Sequence, residues 1–118
     1  MSVVNGQVRF NWNAGSSGSV TSGGSTIGTN RWYHLAVTFD GTTYKLYVDG
    51  IELGAVGGSL PVSTSGNIEA LLGAMDQSPP NNPINYFHGW LDELKIWNKA
   101  LSVEHIRQMM NQEISQLG

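Results

Sequence analysis

Two adjacent carboxylates, Asp92 and Glu93, lie inside an aromatic and aliphatic run, Phe87 to Trp97 (FHGWLDELKIW). Paired carboxylates are the equipment of glycoside hydrolysis, about 5 Å apart for retention and ~6.5–9.5 Å apart for inversion. Neighbours on a regular strand point to opposite faces, so this spacing withholds that geometry. A β-bulge would bring the pair together, but no third carboxylate lies near them in sequence. The better reading is that Asp92 satisfies backbone groups at a bulge while Glu93 turns to solvent or to Lys95. No catalytic residue is assigned, and the chain is expected not to be an enzyme.

Other reactive side chains form no constellation. His34, His88 and His105 carry no metal-ligand spacing, and no serine occupies a nucleophile elbow. Gly23-Gly24 and Gly57-Gly58 lack a phosphate-loop lysine and a following helix, so they read as turns. The segment from Asp76 to Asn82, with Asn85, supplies oxygens of the kind calcium takes. Its single carboxylate would give low affinity, and a solvated Pro/Asn-rich loop is the simpler reading. Asp76 and Asn82 are the calcium candidates, and no cofactor is certain.

A sugar has apolar faces and a hydroxyl rim, so its site needs an aromatic platform beside polar groups. Three places qualify in outline. Trp12 stands between Asn11 and Asn13, Tyr86 follows Asn85, and Trp90 shares alternate positions with His88 and Asp92. Trp90 fits a groove or a core equally. Trp32 and Phe39 are expected in the core, and Trp97 is expected to pack on a helix.

These residues must be held by strands. Trp32 to Asp40 (WYHLAVTFD) puts Tyr33, Leu35, Val37 and Phe39 on one face, the period of a half-buried strand. Tyr44 to Val48 returns with Tyr44, Leu46 and Val48 aligned, and Asp49-Gly50 is a two-residue hairpin signal before Ile51 to Leu53. Gln7 to Trp12 and Ile68 to Ala74 read as further strands, with short ones near Val20 and Ile27. Met75 to Asn85 holds Pro79, Pro80 and Pro83 and reads as a loop. In Phe87 to Trp97, Leu91 is out of phase with Leu94 and Ile96. Either it packs on a second apolar surface or a bulge near Asp92-Glu93 restores register, and the bulge is preferred. Ser102 can cap a helix over 102–117, whose apolar residues recur at helical spacing.

Composition agrees. Of 118 residues, 40% are hydrophobic and 13% charged, against ~25% charged in typical soluble domains. Fifteen glycines and many neutral polar residues suit turns and outward-facing strand positions. Six basic against nine acidic residues leave no nucleic-acid footprint. No apolar run approaches the ~20 residues of a membrane span, and the start does not resemble a signal peptide. The absence of cysteine excludes disulfides and thiol chemistry. The expected fold is all-β, an antiparallel two-sheet jelly-roll sandwich with one C-terminal α-helix, forming a single domain over 1–118.

The run Asn30 to Thr42 (NRWYHLAVTFDGT), followed by Leu46 to Gly50 (LYVDG), resembles the central hairpins of laminin-G-like domains. The run Phe87 to Ser102 resembles their last strand and following turn. The resemblance spans roughly residues 3–107 and implies a concanavalin A-like sandwich. It further implies a non-catalytic recognition or adhesion module, secreted or on the cell surface, binding a glycan or a protein partner, often with a rim calcium. Full domains of this kind carry several strands before the piece that begins here at Val3. The resemblance therefore implies an exposed apolar surface and an unpaired edge, unless those strands are dispensable; completion by a homodimer or by the rest of a larger protein is preferred.

Overall fold

The computed structural model describes residues 1–14, 16–59, 71–76 and 83–111. Two residue pairs that accept positive φ set its hairpins. Asn5 (φ 50°) and Gly6 (φ 71°) turn β1 (Ser2–Val4) into β2 (Gln7–Ala14), since a type I′ turn needs both central residues left-handed. Asp49 (φ 51°) and Gly50 (φ 73°) do the same between β5 (Thr43–Val48) and β6 (Ile51–Gly57). With β3 (Ser16–Thr21) and β4 (Leu35–Phe39), these strands form two antiparallel sheets, ordered β1-β2-β3 and β4-β5-β6. The meander through β4, β5 and β6 matches the sequence expectation. β1 has no counterpart in it, although Asn5-Gly6 is the signal that finds it. Ile27 packs against the core but lies outside any strand.

Alternation decides the core. Val8 and Trp12 from β2 and Val20 from β3 meet Tyr44, Leu46 and Val48 from β5, all buried in one cluster. Tyr33, Leu35, Val37 and Phe39 pack against it half-buried, on the face their period assigns them. Leu46 is fully buried, and removing such a side chain from water stabilises by about 1.5–3 kcal/mol.

One irregularity sets the spacing between the sheets. Tyr47 pairs with Glu52, but Leu46 pairs with Gly54, leaving Leu53 as the extra residue of a bulge. Regular pairing would set Leu53 opposite the buried Leu46. The bulge puts Gly54 there instead, so close to the Thr21 carbonyl oxygen and Val20 that no Cβ fits.

The chain divides into two compact units, Met1–Val62 with Trp97–Gly118, and Ser63–Ile96. The first also contains α1 (Val103–Met109), capped by Ser102, whose hydroxyl accepts the His105 N–H at 3.3 Å. The helix is shorter than the expected 102–117: Met110 is its C-cap, and residues after 111 lie outside the described ones. Arg107 donates from Nε to the Gly50 carbonyl at 2.9 Å, tying the helix to the β5–β6 turn.

The β4–β5 turn rests on Asp40. Its carboxylate accepts the Thr42 and Thr43 backbone N–H groups and the Thr42 hydroxyl, at 2.8–2.9 Å. The two backbone donors, then the hydroxyl, hold this carboxyl below its ordinary 3.8. A depressed folded pKa means stability that is present above the unfolded value and lost as pH falls through the folded one. Acid melts of the wild type should lose this increment below about pH 4, whereas Asp40→Asn should show no such loss in that window. Parallel curves for the two proteins would refute the assignment.

In the second unit, β7 (Met75–Asp76) pairs antiparallel with β8 (Pro83–Ile84). The expected loop over 75–85 therefore opens and closes on a short ladder, with Pro83 at the strand start, where its missing N–H is tolerated. Residues 71–74, the described part of the expected Ile68–Ala74 strand, form no strand. Gly73 bends there at φ 74°, and its carbonyl accepts the Phe87 N–H at 2.7 Å.

Candidate functional site

Phe87 to Trp97, the expected last strand, has no ladder partner among the described residues. Glu93 interrupts it with a left-handed φ of 51°, and Asn85, two residues before it, is left-handed at 53°. Asp92 accepts the Glu93 N–H at 2.8 Å and Glu93 pairs with Lys95 at 3.5 Å. These are the partners the residue types suggest, but they stabilise a backbone kink and not a bulge within a ladder. The two carboxylates are thus occupied locally.

The run is the most exposed apolar segment among the described residues. Trp90 is 85% exposed and Ile96 87%, and Tyr86, Phe87, Leu91, Leu94 and Trp97 are also exposed. Without a regular strand, the alternation that would align Trp90, His88 and Asp92 does not apply. What the structure provides is a short segment whose polar and aromatic side chains, Asn85, Tyr86, His88, Trp90 and Asp92, are all open to solvent. Trp97, expected against the helix, is about half-exposed.

Trp12 is a correction. It is 7% exposed and lies in the core, its ring stacked on Tyr44 at 4.0 Å between centroids, so it offers no face to a ligand. Its position on β2 follows the inward period of Val8 and Phe10, and Gly18, directly across in β3, leaves room for the indole. Trp32 is the converse correction: expected in the core, it is 63% exposed.

Beside Trp32 lies a fixed polar cluster. The Asp49 carboxylate accepts the His34 N–H at 2.9 Å and pairs with the Arg31 guanidinium at 2.8 Å. The same guanidinium lies over the Tyr33 ring, 4.6 Å from its centroid. Asp49 holds both partners because its turn aims it back at the entrance to β4, where its own N–H donates to the His34 carbonyl at 2.8 Å. Sequence reasoning saw Asp49 only as a turn residue, and nothing local announces its partners 15 and 18 positions away.

Among the described residues, no group of three His, Cys, Asp or Glu is placed to hold a metal ion. Asn82 lies outside the described residues. Asp76 is placed by its backbone alone, opposite Pro83. No helix among the described residues is long and apolar enough to cross a membrane.

Two packed antiparallel sheets joined by meanders, followed by one short helix, are the arrangement the resemblance implies. A laminin-G family model, described as the concanavalin A-like lectin/glucanases superfamily, matches residues 2–107. The chain belongs to this laminin-G-like family. A solved structure of an S-layer domain-containing protein from Clostridium thermocellum is similar to it at 26% identity and a TM-score of 0.58. That similarity covers 87% of this chain and 51% of the other, so the laminin-G-like chain spans about half its neighbour's length.

Proposed function

We propose that this laminin-G-like chain is a non-catalytic recognition and adhesion module working outside the cell, where it takes a carbohydrate or a protein partner. The observation that carries this reading is the exposed run from Tyr86 to Ile96. Contiguous apolar exposure rimmed by polar groups marks interaction surfaces. Trp90 is the platform, with Asn85, Tyr86, His88 and Asp92 as its hydrogen-bonding and stacking neighbours. The family and the S-layer neighbour support an extracellular setting, and the local pairing of Asp92 and Glu93 supports a role other than hydrolysis.

A second reading is an assembly module that completes its sandwich with another copy or with the rest of a larger secreted protein. It is favoured by β6, a seven-residue strand at the sheet edge among the described residues, whose Ile51, Leu53 and Val56 are exposed. Unpaired strand edges recruit further strands.

A glycan array, read with and without calcium, tests the first reading. Trp90→Ala should lower the array signal by about tenfold, the loss of ~1.4 kcal/mol of stacking and burial. A calcium-dependent gain in signal and melting temperature that is lost in Asp76→Asn would assign the ion to the segment holding Asp76 and Asn82. A blank array with concentration-dependent self-association in light scattering would favour assembly. A blank array from a stable monomer would refute both glycan binding and self-assembly.

A further inference from the structure

We propose that the loop Asn30–Trp32, at the entrance to β4, is a binding site for an uncharged sugar ring, with Trp32 as the stacking face. The proposal rests on the carbohydrate reading above and places a sugar at a surface the exposed run does not include.

Trp32 is exposed where the residues that follow it are half-buried. Tyr33 and Leu35 turn to the core on either side of His34, while Trp32 stays in solvent. A large indole held open beside ordered backbone presents an apolar face of the kind a pyranose covers.

Arg31 is set in place before any ligand arrives. One guanidinium nitrogen is committed to Asp49 and the guanidinium carbon lies over the ring of Tyr33, whose hydroxyl in turn accepts the Gly28 N–H at 3.0 Å. A guanidinium carries five N–H donors, so the Asp49 contact leaves others directed to solvent. Fixing the fork in advance reduces the ordering cost of binding. Asn30 adds an exposed amide with both donor and acceptor, held by a left-handed backbone at φ 60°.

Charge selects the ligand class. Arg31 and Asp49 cancel one another at 2.8 Å, so the site has donors and acceptors but no net charge. A carboxylated sugar reaching the open guanidinium donors would be set beside the Asp49 carboxylate, and the two like charges repel. Hydroxyl groups accept from the open guanidinium donors and disturb neither partner. The match is therefore to a neutral hexose or pentose unit.

Calorimetric titration of the full chain with uncharged gluco-, manno-, galacto- and xylo-oligosaccharides, beside an oligouronate, tests the site. One of the neutral series should bind, more tightly than the oligouronate. Trp32→Ala should weaken it about tenfold or more while Trp32→Phe restores most of the affinity. Because Trp32 is exposed, both variants should melt with the wild type, which separates loss of binding from loss of fold. Wild-type affinity in Trp32→Ala, or preference for the oligouronate, would overturn the site and leave the recognition reading standing. Failure of every oligosaccharide to bind the wild type would overturn the site and the carbohydrate reading on which it rests.

Discussion

Trp12→Ala should cost about 3–5 kcal/mol of unfolding free energy, the range for deleting a large aromatic side chain from a core. The upper end is expected because the site cannot collapse. One face of the indole is covered by Tyr44, and Gly18 and Gly58 lie against its six-membered ring, close enough that a Cβ on either would strike it. Glycine has no side chain to swing into the space, and Tyr44 is tethered by its hydroxyl to the Ser59 carbonyl at 3.0 Å. Phe10 and Phe39, the other rings around Tyr44, are only half-buried and would gain water contact. The midpoint of a urea transition gives the result directly. Trp12→Phe should recover a large share, and a loss below about 1 kcal/mol for Trp12→Ala would mean that the stack is not the centre of the fold.

Gly54→Ala should destabilise by about 1–3 kcal/mol despite adding only a methyl group. Any Cβ at this position runs into the Thr21 carbonyl oxygen, which is backbone and cannot rotate away, and then into Val20. Relief requires β3 and β6 to separate, which loosens Val20 against Leu46. Gly57, three residues on in the same strand, is the control. A Cβ there meets nothing closer than the Thr42 carbonyl oxygen at 3.7 Å, so Gly57→Ala should change stability little. Equal melting temperatures for the two variants would remove the argument that the bulge exists to set a glycine between the sheets.

Legibility in the sequence followed the range of the interaction. The hairpin at Asp49-Gly50, the inward stripe of Leu35, Val37 and Phe39, and the Ser102 cap each depend on a few neighbouring residues, and all are present. The family could be read from Asn30 to Gly50 for the same reason. Phe87 to Trp97 has the composition of a strand, but a strand also needs a neighbour for its backbone, which composition does not supply. Trp12 and Trp32 exchanged roles because a ring's burial depends on what stands across from it. Gly18 and Tyr44 cover Trp12 from distant positions, whereas Trp32 precedes β4 and is out of phase with the inward stripe. The Arg31–Asp49 pair was hidden by its separation. The Gly54 bulge was hidden because an alternating strand and a bulged one share the same letters.

The unequal burial of the tryptophans carries over into how this protein reports on itself optically. Of four indoles, Trp12 alone is enclosed, while Trp32, Trp90 and Trp97 face solvent in the folded state. Total emission is therefore dominated by fluorophores whose surroundings change little on unfolding, and it will understate the transition. A variant with Trp32, Trp90 and Trp97 replaced by phenylalanine would leave a single reporter next to Tyr44, and its spectrum would follow the core alone.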